Sequence, residues 1–419
     1  MQHNNNIIKL LGFQDLDKKF KVNDISFNVE KQISYIEMYT SKVKHICPHC
    51  KSEQIHNIKD YHSKILKHGD IVGKNINIKL KYIRYECREC GKTFYEDLSS
   101  IHEKYCRHTN AKINNILNNL PNLTQSVKKI ANTYNIDHRL VNRLFALKVY
   151  EKNLSDITTL PENIGIDEFK GNMLIKVNDT KIRAKYQIQI SDLDKRKVIA
   201  LIAIKDSEEL EKFFNKIVNR KDVKNVVMDM SMQYKRQIKR AFRNAKITVD
   251  HFHVVKLVTK AVDDLRLELW RKYTQEKTKE GLEKRKYLKS LKNMLLTDYK
   301  ACTNEKYKKK IDNKLNKVFE FFPELKKAYD KLQSFYDIKR SENRENAFLN
   351  WFNTLEKTGT FKTTKKTIYS WYSYIKNMYI TGLSNAITEG KNNNIKVLKR
   401  VSYGFGNFEN ARNRILVCA

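Results

Sequence analysis

Short runs of alternating apolar and polar residues mark the first hundred positions, as in ISFNVE (25–30) and INIKLKYIRYEC (76–87). A period of two predicts strands with one buried face. The pattern turns helical over 106–160 and changes again after Pro161. IGIDEF (164–169), LIKV (174–177), YQIQI (186–190) and VIALIAI (198–204) predict strands in close succession. SEELEKFFNKIVNR (207–220) predicts a helix, VVMDM (226–230) a strand, SMQYKRQIKRAFRN (231–244) a helix and ITVDHF (247–252) a strand. A strand meander followed by strand–helix alternation predicts a mixed sheet with helices packed on it. From about 253 to 380 the helical period is almost unbroken, with Gly281, Gly359 and Pro323 as the only glycines and proline. Trp270, Trp351 and Trp371 lie in this stretch and are expected mostly in its core.

Charge adds a partner to this outline. The chain carries 82 Lys+Arg against 47 Asp+Glu, a formal net charge of +35 spread along its length. Such an excess attracts polyanions, of which nucleic acid is the commonest; the plainer reading is a lysine-rich solvated surface. Apolar residues make up 41%, enough for real cores. No apolar run reaches the roughly 18 residues of a membrane span, so no membrane partner is expected. The N-terminal MQHNNNIIKLLGF lacks the apolar region of a signal peptide, which predicts a cytoplasmic protein.

Two Cys-x-x-Cys knuckles, Cys47-Pro48-His49-Cys50 and Cys87-Arg88-Glu89-Cys90, can each aim two thiolates at one point. Together they predict a tetrahedral structural Zn²⁺ site; a redox pair or unrelated buried cysteines are the alternatives. His49, His56 and His62 are potential stand-in ligands, while Cys106, Cys302 and Cys418 have no partner spacing and read as ordinary buried thiols. LTQSVKKIANTYNIDHRLVNRLFALKVYEK (123–152) has the pattern of a helix-turn-helix. Val127, Ile130 and Ala131 fall inward on its first helix, a turn lies near Tyr134–Asp137, and Leu140, Val141 and Leu144 fall inward on its second. Arg139, Asn142 and Arg143 then point outward, toward base edges or phosphates. The alternative is a plain helical hairpin between domains.

Asp167 lies in an apolar strand frame and Asp229 ends another strand. Carboxylates at buried strand ends are costly unless paired or metal-bound, and two on neighbouring strands suit Mg²⁺ or Mn²⁺. A third acid, Glu389, shares a helical face with Asn393, Lys396 and Arg400, opposite Ile395 and Leu398. That face would offer a metal ligand followed by phosphate-binding groups. Each acid alone also reads as a turn, cap or solvated residue. Asp250, in Asp250-His251-Phe252-His253, either binds metal or caps the long helix that follows.

These blocks resemble the ISL-three family of bacterial insertion-sequence transposases. The resemblance rests on CPHC, YECRECGKTFYED, IGIDEFK, VVMDMSMQYKRQIKRAFRNAKITVDHFHVVK and TEGKNNNIKVLKRVSYGFGNFENARNRIL. It implies a multidomain α+β protein with a zinc ribbon, a helix-turn-helix and a ribonuclease-H-like α/β core carrying an all-helical insertion. The expected boundaries are 1–105 for the zinc-binding domain and 106–160 for the helix-turn-helix. The core would occupy 161–254, the insertion 255–378, and the rest of the core 379–419. The family's Asp, Asp and Glu fall on Asp167, Asp229 and Glu389 as catalytic Mg²⁺ or Mn²⁺ ligands, with Asp250, His253 and Asn393 as supporting neighbours. The implied partners are double-stranded DNA, as element ends and target, and further copies of the chain on that DNA, at the bacterial nucleoid. The implied reaction is cleavage at terminal inverted repeats and transfer of the cut strands. The alternatives are a structure-selective nuclease on the same core and a DNA-binding regulator whose core is inert.

Overall fold

The computed structural model describes residues 2–419 other than 14–18, 31, 41–44, 54, 55, 72, 73, 178 and 277. The chain is a mixed α+β protein in two compact units, residues 1–152 with 418, and residues 153–417 with 419.

The first unit opens with helix α1 (Gln2–Leu10). A sheet follows, made of β1 (Phe20–Asn28), β2 (Ile33–Thr40), β3 (Asn57–Ile71), β4 (Lys74–Glu86) and β5 (Thr93–Tyr95). Its order is β1-β2-β4-β3, with β5 on the end of β4. β2 and β4 run parallel, and β3 and β4 form a long antiparallel hairpin. Alternation within β4 buries Ile76, Ile78 and Leu80 with Ile8, Phe20, Met38 and Leu66. Three helices complete the unit: α2 (Asn110–Asn119), α3 (Val127–Thr133) and α4 (His138–Glu151). Thr109, Ser126 and Asp137 cap their N-termini, each accepting from a backbone N–H of the first turn.

The second unit is built on β6 (Asn163–Phe169), β7 (Met173–Val177), β8 (Thr180–Ala184), β9 (Gln187–Asp192) and β10 (Lys197–Ile202). Then come α5 (Ser207–Asn215), β11 (Asn225–Met228), α6 (Met232–Ala241) and β12 (Lys246–Val249). The main sheet has the order β10-β9-β6-β11-β12. β9 runs antiparallel to both its neighbours, β10 and β6, whereas β6, β11 and β12 are parallel. The run at 174–177 does not join this sheet as the sequence pattern suggests. It pairs with β8, which the pattern missed, in a separate two-stranded hairpin. The reason is that most β8 residues are exposed, so this hairpin has no continuous apolar face to bury. The strand expected over 247–252 also ends early, at Val249, because a helix starts at His251.

That helix, α7 (His251–Lys272), begins the helical stretch of α8 (Lys279–Ser290), α9 (Lys292–Leu296), α10 (Glu305–Phe321), α11 (Pro323–Asp337), α12 (Arg344–Asn353), α13 (Lys362–Ser370) and α14 (Tyr372–Thr381). Pro323 opens α11 in its first turn, where a missing N–H costs nothing, so the lone proline divides two helices. Trp351 and Trp371 are buried and Trp270 is half-buried. One apolar cluster runs from the sheet (Ile164, Ile166, Ile190, Val226) into these helices (Val258, Leu332, Phe348, Ile375). Two helices close the chain, α15 (Ala386–Val401) and α16 (Phe408–Cys418). No helix among the described residues is long and apolar enough to cross a membrane.

Candidate active site

The register of the three parallel strands places the acids. Ile166 of β6 is paired with Met228 of β11, and Met228 with Val249 of β12. The next residue on each strand is an aspartate: Asp167, Asp229 and Asp250. Parallel strands lie about 4.8 Å apart, so these positions fall side by side at the C-terminal ends of the three strands. Alternation along β6 sends Ile164 and Ile166 into the apolar core and Gly165 and Asp167 to the opposite face. That second face is polar. β9 adds buried Gln187, Gln189 and Ser191 to it, and α15 lies across it.

The contact with α15 depends on Gly165. A Cβ there would lie 2.2 Å from Thr388 Oγ1 and 2.9 Å from Leu193 Cδ2. Gln189 Nε2 donates to the Thr388 carbonyl at 2.7 Å, pinning the helix to β9. One turn on, Asn392 Nδ2 donates to Asp167 Oδ2 at 2.6 Å. Asp167 Oδ1 accepts from the Glu168 N–H at 2.7 Å. Gly165→Ala should force α15 off the sheet and destabilise the fold by about 1–3 kcal/mol, the usual cost of overpacking. Chemical denaturation measures this, and an unchanged midpoint would mean that Thr388 and Leu193 yield freely.

The electrostatics are those of crowded acids. Burial, and then the charge of Asp229, push the Asp167 carboxyl up to about 8. Burial likewise raises Asp229, even though the His253 ring opposes it. His253 stands one turn into α7, with Nδ1 3.3 Å from Asp229 Oδ1 and 3.5 Å from Asp250 Oδ2. The Asp250 carboxylate, followed by that of Asp229, holds the imidazole above its ordinary range. Asp250 behaves differently from the other two. Burial disfavours its charge, but His253 and the Asn385 N–H outweigh burial and hold its carboxyl below the usual range. It occupies the position before α7 without making a side-chain capping bond, and its Oδ1 accepts instead from Asn385 N at 3.0 Å. Asp250 thus ties the chain just before α15 to the end of β12.

Glu389 is exposed on the first turn of α15, and its N–H donates to the Asn385 carbonyl. The described contacts join Asp167 and Asp229 to Asn392, His253 and Asp250, and do not include the Glu389 carboxylate. Asn393, Lys396 and Arg400 are exposed on the same helix, with Lys396 Nζ donating to Asn393 Oδ1 at 3.2 Å. The sequence reading overlooked Asn392, Gly165, Asn385 and Gln189. For Asn392 a signal existed: Thr388, Asn392 and Ile395 form the buried stripe of α15, and a polar residue on such a stripe needs a partner.

The thiols form a second centre. Cys47, Cys50, Cys87 and Cys90 have their sulfurs within 4.8 Å of one another. Cys47 and Cys90 are 3.8 Å apart and Cys50 and Cys87 3.5 Å, matching the roughly 3.8 Å edge of a tetrahedron with zinc–sulfur arms of about 2.3 Å. The two knuckles share one backbone form. In each, the residue after the second cysteine (Lys51, φ 63°; Gly91, φ 66°) is left-handed and donates its N–H to the carbonyl of the first. Burial opposes ionisation of Cys47, but the Cys50 and His49 N–H groups bring its thiol down to about 6. The Ser52 N–H favours the Cys50 thiolate, yet burial and the neighbouring thiols push that group up to about 12. The four sulfurs are thus placed to suit one shared cation. His56 bonds to the His45 carbonyl and His62 to Asp60, so neither replaces a cysteine. Cys106, Cys302 and Cys418 are half-exposed and not buried as expected, because they fall in loops or at a helix end.

Residues 164–415, well over half of the chain, match the family model of the ISL-three transposases, described as a transposase. The chain belongs to this family. The matched segment begins on β6 and ends within α16, so it contains every residue of the acidic site just described. No curated protein matches the chain. The transposase thus carries its acids on the family segment, while the thiol cluster lies N-terminal to it. On α4 of the transposase, Arg139 and Arg143 are exposed, Asn142 is half-buried, and Val141 and Leu144 are buried.

Proposed function

We propose that this transposase cuts DNA at the terminal inverted repeats of its element and joins the freed 3′-hydroxyls to target DNA. The observation that carries this reading is the crowding of Asp167 and Asp229 at adjacent ends of parallel strands, where burial disfavours both charges unless a cation is bound. The sheet supports a ribonuclease-H-like core. Leaving aside the β7–β8 hairpin, its strands lie in the order third, second, first, fourth, fifth, the first three antiparallel and the last two parallel to the first.

Asp167 and Asp229 would hold Mg²⁺ or Mn²⁺, with Glu389 as the third ligand. Glu389 lies three residues before Asn392, and positions so spaced are neighbours on a helix surface. When bound, the metal supplies Lewis acidity to the phosphodiester and to the attacking oxygen. The chain's own groups do the rest. Asn392 fixes the Asp167 carboxylate, and His253 balances the charge of Asp229 and Asp250. Asp250 anchors the start of α15, the helix that bears Glu389. Lys396 and Arg400 lie farther along that helix, suited to phosphate contacts.

The thiol cluster would hold one structural Zn²⁺. The α3–α4 pair would act as a helix-turn-helix, with Arg139 and Arg143 reading end DNA and Asn142 beside them. Wild-type protein should nick a duplex carrying the element end only with Mg²⁺ or Mn²⁺ and join that end to a second duplex. Arg139→Ala should reduce discrimination between end and random DNA. Nicking without joining would reduce the reading to a nuclease, and binding without nicking to a regulator.

A further inference from the structure

The first unit contains a cavity of about 430 Å³ formed by the β3–β4 hairpin, α2 and the segment from the end of α3 toward α4. Its lining includes His68 and Asp70 of β3, Asn75 of β4, Lys112 and Asn115 of α2, and Asn135 of the turn. Asn135 has a left-handed φ of 47°, and its Nδ2 donates to Asn75 Oδ1 at 3.3 Å, which ties the turn to the hairpin.

Lys112 is the anomaly. It is only 6% exposed, and among the described residues no carboxylate pairs with its ammonium. Asp70, itself exposed, is the one carboxylate among the lining residues. The surroundings add positive charge. Burial and then Lys67 push the Lys112 ammonium down to about 8. Burial and then the charge of Lys112 push both His68 and His108 down to about 4. A buried cation without a partner is a substantial cost to the fold, and methionine would fill similar space without it. An anion entering the cavity would offset that cost.

We propose that this cavity is an oxyanion site that takes a phosphodiester of the DNA backbone, with Lys112 as the counter-charge and the surrounding amide side chains as further donors. The choice of DNA as the source rests on the transposase reading above. In two-helix readers the first helix and its turn lie against the backbone while the second helix enters the groove. The cavity is lined by the end of α3 and the turn that follows, as that arrangement requires. Its volume leaves room for sugar and water beside the phosphate.

The test uses the full-length chain, a duplex carrying the element end, and inorganic phosphate as a separate probe. Lys112→Met should weaken binding of the end duplex about tenfold or more, the usual value of a charged hydrogen bond. It should also reduce the log–log salt slope by about 1, as expected for one lost phosphate contact. Asn115→Asp, a surface change of the same shape, brings a carboxylate to Lys112 and should weaken binding similarly while raising thermal stability. Phosphate at constant ionic strength should raise the thermal midpoint of wild type and not of Lys112→Met if the cavity also accepts the free anion. A loss of DNA affinity with no phosphate effect assigns the cavity to the backbone alone, and supports the proposal. Wild-type affinity and slope in both variants overturn it, as does phosphate stabilisation that is equal in wild type and Lys112→Met. If Lys112→Met does not fold, Asn115→Asp decides. Wild type that binds no end DNA would remove the transposase reading itself, a result distinct from unchanged binding by the variants.

Discussion

Asp167→Asn and Asp229→Asn should each lower Mg²⁺-dependent strand cleavage at least about a thousandfold, because each removes a charge needed to hold the ions that stabilise the reacting phosphate. Binding of end DNA should be nearly unchanged, since both changes preserve shape. The same variants should make the metal-free protein more stable at neutral pH. Asp167 has its carboxyl raised to about 8, against roughly 3.9 in an unfolded chain. A raised carboxyl favours the folded state fully below the unfolded value, and that contribution is lost as pH rises through the folded value. Wild type without metal should therefore lose stability between about pH 4 and pH 8. His253, raised in the fold, acts in the same direction over the upper part of that window. Asp167→Asn should flatten the profile, and a gain of even about 1 kcal/mol would be visible as a shift of roughly 2–4 °C. Added Mg²⁺ should stabilise wild type more than the variant. Glu389→Gln should abolish cleavage as completely, whereas Asp250→Asn should leave detectable activity if Asp250 only positions α15. Full cleavage by Glu389→Gln, together with none by Asp250→Asn, would transfer the third ligand position to Asp250.

Loss of zinc should have the largest effect on the fold of the N-terminal unit. Binding of a structural zinc contributes about 10–16 kcal/mol in small zinc domains, more than most domains have in reserve. Purified protein should contain about one zinc per chain, as a closed tetrahedral site requires. Chelation or Cys47→Ser should loosen the small core in which Cys47 and Cys87 pack with Ile83, Tyr85 and Phe94. Near-ultraviolet circular dichroism follows those rings directly. Protein that keeps its spectrum and its DNA affinity after complete metal removal would show that the thiols are held by packing alone.

The sequence revealed the parts of the site that are governed by local pattern. Asp167 and Asp229 stand out because each follows a run of strand residues whose apolar members are buried. The paired knuckles stand out for their spacing, and the helical stretch for its missing breakers. What was hidden depends on which surfaces meet. Gly165 reads as an ordinary strand glycine until α15 is seen against it. Asn392 lies one position from the exposed Asn393, and only the packing of the helix decides which asparagine reaches Asp167. The order of three aspartates across β6, β11 and β12 needs the strand register, which short strands do not announce. Asp250 therefore read equally as a metal ligand or a helix cap, whereas its side chain accepts from Asn385 and makes no capping bond. The misassigned run at 174–177 had the right period but the wrong neighbour, because an exposed strand supplied its pairing.

The bond from Asn392 to Asp167 spans 225 positions of the chain. At roughly 5–20 residues per second, a ribosome that has made the first aspartate needs roughly ten to forty-five seconds to reach the asparagine. Throughout that interval the nascent protein holds its N-terminal unit and both early aspartates without the helix that orders one of them. Fragments that end before α15 would inherit the same state: on the proposed roles they would retain the means to occupy an element end and lack a complete acidic site. On the proposed roles, premature termination would turn the gene's own product into a competitor for its ends, and the all-helical stretch between β12 and α15 sets much of the length of that interval.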